Sequence, residues 1–406
     1  MRKIPFYALL IANIISKIGN VLTMLAIPWF VLQTTGSVLK TGIVAASSTL
    51  PWLITAFFGG TVVDRLGYKR ASIFADLASG MAIMLIPLFY NTVGLPFWHL
   101  LVLVFLSSLC NTPGVTARRA LLPDLATMAG LGLERANSIY QIINNLSAFV
   151  GPPLAGILIA TIGTNNVMWI DAITFFISAL IISIWVVQTE SHQPVRTPGR
   201  YLDELKQGLQ FVINNHAMRA IVTVITFTAL LDAPIFMVVL PVYANKILNS
   251  ATDLGLIVGA FGGSAVLGAL FFGMLGHKLP RRIVLLTSLM LSTIPLWIIA
   301  QLPTLSVVIG AMIVVGLAAG PFNPLLMTIL QEQTPAEMRG RIFAMIIALS
   351  QVVAPLGAAI AGYLLSQFGI SNTLYVIVAC YCLVVLGIAF GPTFYQKNEV
   401  SLRAKL

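Results

Sequence analysis

Long apolar runs alternate along this chain with short polar breaks. Twelve runs are long enough to cross a bilayer: 6–34, 39–63, 71–90, 97–118, 137–161, 166–187, 219–247, 253–276, 282–301, 304–330, 341–366 and 371–393. A hydrocarbon core about 30 Å thick needs roughly 20 apolar residues at 1.5 Å rise each. Inside it, every backbone N–H and C=O must be paired within its own segment, so each run is predicted to be a helix. Short strands alternating apolar and polar faces are missing, so a β-barrel is not expected. The longest polar interval, 188–216, separates the runs six and six. Thr197-Pro198-Gly199 breaks it. Residues 201–215 then read as an amphipathic helix, with Leu202, Leu205, Leu209 and Val212 opposite Asp203, Glu204 and Lys206. Such a helix suits the cytoplasmic membrane interface. The expected organisation is an N-terminal six-helix bundle (1–190), a linker (191–216) and a C-terminal six-helix bundle (217–406).

Composition supports a membrane protein. Of 406 residues, 58% are hydrophobic and 9% charged, where soluble domains carry about 25% charged residues. The net charge of +10 does not point to nucleic acid, because the cations are sorted by side. With the N-terminus inside, all 23 Lys and Arg except Lys17, Lys40 and Lys246 fall at the cytoplasmic face. Cytoplasmic loops collect Lys and Arg, so both termini are expected in the cytoplasm of a cell whose inner or plasma membrane holds the chain. The basic rim would favour anionic lipid headgroups. Met1-Arg2-Lys3 before an apolar run mimics a signal peptide, but the run is too long and lacks a small-residue cleavage site, so it is read as the first span. Cys110, Cys380 and Cys382 lie in apolar runs, with neither a disulfide framework nor metal spacing. No metal and no cofactor are expected.

The two halves echo each other. Ala26-Ile27-Pro28 matches Val239-Leu240-Pro241, and Gly60 through Lys69 matches Gly273 through Arg282, both at an offset of 213. The second copy lacks the Asp of the first. Leu146-Ser147, Val150 and Pro152 match Leu349-Ser350, Val353 and Pro355 at an offset of 203. In order along the chain, these matches favour a duplicated six-helix unit, an arrangement that puts a solute site near the bilayer midplane.

Charged and polar residues inside apolar runs are the candidate machinery. Asn13, Ser16, Lys17 and Asn20 form an i, i+3, i+4, i+7 stripe on the first segment. Lys17 lies roughly 16 Å from the inner end at 1.5 Å per residue. A charge at that depth costs about 2.5–3.5 kcal/mol on insertion scales, so it needs a hydrated cavity, an acidic partner or backbone carbonyls. Asp232, in the seventh segment, matches it in depth and is a plausible partner. It would carry a proton, or pin the halves as a fixed ion pair. Asp76 is close enough to the inner face to neutralise Arg118 or Arg119. Asp171 lies towards the outer end of the sixth segment, as a structural acid or a proton acceptor. Asn137, Gln141, Asn144, Asn145 and Ala148 share a face of the fifth segment, followed by Gly151-Pro152-Pro153-Leu154-Ala155-Gly156. Proline bends a helix and small residues admit a close neighbour. Asn111-Thr112-Pro113 and Pro321-Phe322-Asn323-Pro324 read as kinks at equivalent places. A cytoplasmic gate is read in Gly60, Asp64, Arg65, Gly67, Lys69, Arg70, Asp76 and Arg118: an acid among cations at a tight glycine turn. Topology alone would also explain those cations. An exposed pair there is worth about 0–1 kcal/mol, enough to bias two states.

Gly60-Thr61-Val62-Val63-Asp64-Arg65-Leu66-Gly67-Tyr68-Lys69-Arg70 resembles the loop 2–3 signature of major facilitator superfamily transporters. Residues 151–156 resemble the antiporter pattern of that superfamily, with Ala155 replacing a Gly. Asn111-Thr112-Pro113 through Leu122-Pro123-Asp124-Leu125, Trp169-Ile170-Asp171-Ala172 and Arg339-Gly340-Arg341-Ile342-Phe343 resemble its macrolide-efflux and enterobactin-exporter branch. Many relatives carry an acid where Asn20 stands. The resemblance implies twelve transmembrane helices in two pseudo-symmetric bundles and export driven by proton antiport. The expected activity is rocker-switch export of a lipophilic or amphipathic small molecule. Asn13, Lys17, Asn20, Asn111, Asn145, Asp232 and Asn323 are expected along the substrate and proton pathway, and Gly151, Pro152 and Gly156 in the antiporter-like motif. Protons, a small-molecule substrate and membrane lipids are the expected partners, with no nucleic acid, and the chain is expected to be monomeric. A lipid or lysolipid flippase and a non-transporting receptor are the alternatives. An enzyme is not expected, since no nucleophile, base and orienting group come together and no Gly-x-x-x-x-Gly-Lys-Ser/Thr phosphate loop occurs.

Overall fold

In the computed structural model, residues 3–187, 198–276, 279–334 and 338–390 are described, and they form helices and short turns without a strand. Of these, the side chains at 56–62, 64, 198–205, 217, 339–341, 344, 347 and 390 lie outside the description. The first four helices are α1 (Ile4–Thr35), α2 (Val38–Leu66), α3 (Tyr68–Thr92) and α4 (Phe97–Met128). Their ends follow local chemistry. Gly36 closes α1 in the left-handed region, φ 63°, with its N–H returned to Leu32 O. The Ser37 hydroxyl caps α2 by accepting from Lys40 N at 3.2 Å. Gly67, φ 78°, is the whole connection between α2 and α3. That positive φ is strained for residues with a Cβ, which explains the glycine of the motif.

The next helix, α5 (Leu133–Trp185), has 53 residues. Unbroken, it would be about 80 Å long at 1.5 Å rise, far more than a bilayer. Gly163, φ 82°, breaks it into two spans. After α6 (Pro198–Asn214), α7 (His216–Pro234) runs on through a π turn (Ile235–Val239), the short α8 (Leu240–Tyr243) and a second π turn (Ala244–Leu248). Pro241 has no N–H to give Met237 O, and wide turns are one way a helix absorbs such a loss. Then come α9 (Ala251–Leu275), α10 (Arg281–Ile299), α11 (Leu305–Ala319), α12 (Phe322–Gln333) and α13 (Arg339–Phe390), which breaks at Gly369, φ 77°. Among the described residues, ten helical stretches are long and apolar enough to cross a membrane. Two of them carry the Gly163 and Gly369 breaks, so the ten supply the twelve passes expected. The α11–α12 stretch is interrupted at Gly320-Pro321, near the expected kink, with both residues at right-handed helical angles. The two π turns had no counterpart in the sequence reading.

The chain packs as two units. The first comprises Met1–Tyr201 with Leu240–Gly259, and the second Leu202–Val239 with Ala260–Leu406. In the first, α1 lies along α5, and α3 is packed by α4 and α5. Its cores gather residues such as Phe6, Leu9, Leu121 and Leu125 in one cluster and Phe30, Ile86, Met168 and Phe175 in another. In the second, α7 and α10 pack on α13, around Met218, Ile221, Leu285, Leu326 and Ile346.

Candidate functional site

A buried ion pair organises the first unit. Arg118 on α4 and Asp76 on α3 are 1% and 0% exposed. Arg118 Nη1 donates to both carboxylate oxygens, at 2.7 and 2.8 Å. The Ser178 hydroxyl, from the second half of α5, donates to Asp76 Oδ2 at 2.6 Å. The pairing expected of Asp76 is therefore present, and Ser178 is an addition to it. Ser178 is seven residues beyond Asp171, two helical turns along one face, the only sequence signal that could have nominated it. Gly114 brings α4 onto α3 beside the pair, since a Cβ there would sit 2.6 Å from Ala75 Cβ. Desolvating two charges is repaid only by close pairing and added hydrogen bonds; the carboxylate has them, while the buried Arg118 Nε has no partner among the described residues.

Above this pair runs a polar seam. Asn13 and Ser16 are buried, Asn20 half-buried and Lys17 exposed. Asn20 Nδ2 donates to Ser16 O at 2.8 Å, and Asn111 Nδ2 of α4 donates to Asn20 Oδ1 at 3.0 Å. Asn20 thus ties α1 to α4 with neutral groups. The buried Asn13 Nδ2, Ser16 Oγ and Asn111 Oδ1 have no hydrogen-bond partner. Asp171 is 1% exposed. Thr174 Oγ1 donates to its backbone oxygen at 2.7 Å and to Oδ1 at 3.3 Å. Gly19 of α1 faces these groups, and a Cβ there would lie 2.3 Å from Asp171 Oδ1. On the α5 face, Gln141 donates to Asn145 Oδ1 at 3.0 Å, both on the same helix.

The antiporter-like motif lies at close helix crossings within this unit. A Cβ on Gly151 would meet Val21 of α1 at 2.6 Å. One on Gly156 would meet Ala251 O at 2.6 Å and Gly255 Cα of α9 at 3.0 Å. Pro152 is buried, and its carbonyl oxygen faces Gly255. Of the expected gate, Gly60 lies in α2, and the Asp64 side chain lies outside the description. Arg65 and Arg70 are exposed. Lys69 donates to Ser183 O at 2.9 Å, tying the start of α3 to the end of α5. Asp76 and Arg118 form the interior pair above. The loop 10–11 residues Pro335, Ala336 and Glu337 and the side chains of Arg339 and Arg341 also lie outside the description.

The second unit holds a cavity of about 110 Å³. Asp232 of α7 lines it together with Thr228, Phe236, Phe261, Ser288, Ser292, Phe322 and Tyr381 among others. Asp232 is exposed to solvent, whereas Tyr381 of α13 is buried, 3% exposed. The Tyr381 hydroxyl donates to Asp232 Oδ1. Within its own unit the acid is therefore partnered by a neutral phenol. The first π turn starts three residues after Asp232. Such turns are frequent at functional sites. Asn323, at the start of α12, is exposed. Tyr381 had no sequence signal, because it sits in an apolar run that reads as ordinary span.

Comparison with known proteins gives concordant matches. The family model for transmembrane secretion effectors matches residues 1–401. The multidrug efflux pump Tap of Mycolicibacterium fortuitum is 32% identical over 406 residues, covering 99% of this chain and 98% of that one. The pump of the same name from Mycobacterium tuberculosis is 33% identical over 321 residues, covering 77% and 76%. Macrolide efflux protein A of Streptococcus pyogenes is 22% identical over 340 residues, covering 80% and 83%. Among solved structures, the nucleoside transporter NupG superposes with a TM-score of 0.74 at 13% identity, over 96% of this chain and 99% of that one. A D-xylose-proton symporter superposes with a TM-score of 0.75 at 13% identity, over 96% and 99%.

Proposed function

The chain belongs to the transmembrane secretion effector family and has the major facilitator fold, and from this we propose that it is a secondary transporter exporting drug-like, lipophilic or amphipathic molecules by proton antiport. The full-length match to the multidrug efflux pump of Mycolicibacterium fortuitum carries the reading. Proton coupling is supported by carboxylates inside spans that have hydroxyl partners rather than cationic ones: Asp171 with Thr174 and Asp232 with Tyr381. A fixed counter-charge would hold such a group ionised, whereas a neutral donor leaves it free to take up a proton. Asp76, locked to Arg118, is not such a group.

In this reading the moving halves are residues 1–190 and 217–406, joined by the linker 191–216, with both termini in the cytoplasm of a monomer in the plasma membrane. Asn13, Lys17, Asn20, Asn111, Asn145, Asp232 and Asn323 serve the pathway. The loop 2–3 residues Gly60 to Arg70 bias the equilibrium between states. Substrate and proton each favour one state, because a ligand shifts an equilibrium only by its differential affinity. Export from everted vesicles tests this. Dissipating the pH gradient with the membrane potential held constant abolishes accumulation of a transported dye. Undiminished accumulation rules out proton drive.

A further inference from the structure

We propose that a groove in the first unit holds one anionic phospholipid, with an acyl chain between α2 and α3 and the phosphate on Arg65 and Arg70. The site lies apart from Asp232 and does not depend on what is carried. Gly67 joins α2 to α3, and each of these helices packs more extensively on α4 than on the other. Between them is a cavity of about 410 Å³, floored by Leu109, Cys110 and Pro113 of α4. Its wall suits hydrocarbon. The Thr55 hydroxyl is spent on its own helix, donating to Pro51 O and Trp52 O, both at 3.1 Å. Apart from the Cys110 thiol, a weak donor, the other lining side chains are apolar. Ile54, Leu66 and Phe74 are exposed along the opening, Phe74 by 58%. In a membrane span, such an opening faces lipid chains rather than water.

Length and charge select the guest. From Thr55 to Leu66 the lining spans about 16 Å of α2 at 1.5 Å per residue. One leaflet is about 15 Å deep, half of the hydrocarbon core. The groove thus runs the depth of one leaflet and ends at the Gly67 turn, where headgroups lie. Arg65 stands three helical turns beyond Ile54, and Arg70 one turn before Phe74, so both share the groove faces of their helices. Both are exposed, and neither joins an ion pair among the described residues. Lys69 is already engaged by Ser183 O. Guanidinium forks match phosphate oxygens closely. A head with net negative charge answers the two cations. A zwitterionic head also brings an ammonium, which they repel. A neutral drug would fit the volume and leave the cations unanswered. In the orientation proposed above, the site belongs to the cytoplasmic leaflet, the one with the negative surface.

Native mass spectrometry of the full chain tests this after reconstitution in vesicles of equal parts phosphatidylglycerol and phosphatidylethanolamine with identical chains. The native chain should retain one phosphatidylglycerol in preference to phosphatidylethanolamine. Arg65→Gln with Arg70→Gln should weaken that retention about tenfold or more, since each cation near a headgroup counts separately. Arg65→Lys with Arg70→Lys should keep most of it, which separates charge from fold. Ala78→Phe, at an exposed lining position, should fill the groove and remove the retained lipid whatever its head. A lipid bound only by the folded chain stabilises it. Phosphatidylglycerol should therefore raise the melting temperature of the native chain more than that of either the glutamine or the phenylalanine variant. No retained lipid, equal retention of the two heads, or unchanged selectivity in the glutamine variant each overturns the proposal. A dimer that disappears with Ala78→Phe would assign the groove to a second copy of the chain, and overturns it as well.

Discussion

Asp76 and Asp232 are the same residue type on two membrane helices, and their surroundings differ in nearly every respect. Asp76 is sealed among α3, α4 and α5, held by Arg118 from two oxygens and by Ser178 from one. Asp232 is open to a cavity and held by one neutral hydroxyl. The first arrangement has no room for a ligand, and its charge is answered inside the protein. The second has room and an unanswered charge. A carboxylate in a membrane span is a functional hypothesis by default, but the partner decides which kind: a guanidinium makes a structural joint, and a phenol leaves a working group.

Breaking Asp76 should have the largest effect. Asp76→Asn leaves Arg118 charged and buried, which costs about 3–5 kcal/mol. The purified variant should lose most of its folded yield or melt far below the native chain. Asp76→Asn combined with Arg118→Gln should recover much of that loss, because no unpaired charge remains. A single variant as stable as the native chain would dissolve the contrast with Asp232. That residue supplies the second test. Asp232→Asn should change stability by less than about 1 kcal/mol, since an exposed position tolerates the change, while gradient-driven export is abolished. Normal export by this variant would remove Asp232 from coupling.

How much of this could be read from the sequence follows the same division. Span number, the Gly67 turn and the antiporter-like motif depend on local hydrophobicity and backbone sterics, so residues 38–70 and 151–156 announced themselves. The Asp76–Arg118 pair was also legible, because two opposite charges in adjacent spans have few alternatives. Tyr381 was not, since a tyrosine in an apolar run is compatible with lipid, core or a hydrogen bond. Nor was the bond from Tyr381 to Asp232: depth along a helix says which residues lie level with an acid, not which side chain of its own unit reaches it. The π turns at Ile235–Val239 and Ala244–Leu248 depend on tertiary packing around Pro241 rather than on composition.

Packing offers a third comparison of the two acids. Gly114→Ala beside the ion pair would place a methyl group 2.6 Å from Ala75 Cβ. Forcing α3 and α4 apart should cost about 1–3 kcal/mol. Ala319→Val adds two methyl groups to the cavity lining and should cost only about 0.5 kcal/mol, the helix preference of a β-branched residue. Thermal melting of the two variants side by side measures the difference. Equal losses would mean that the second unit is packed as tightly as the first.

The smallest expected effect tests whether Tyr381 holds Asp232 or merely neighbours it. Tyr381→Phe keeps the ring that fills the space and removes the one donor to the carboxylate among the described residues. A neutral hydrogen bond contributes about 0.5–1.5 kcal/mol net, and less where water can replace it. Because Asp232 is open to the cavity, water can take the donor's place, and melting should shift only slightly. Export should persist at a reduced rate, because the acid remains while its orientation loosens. If Tyr381→Phe abolished export as completely as Asp232→Asn, the phenol would belong to the proton path itself. The line between a structural joint and a working group would then run through the hydroxyl as well as the carboxylate.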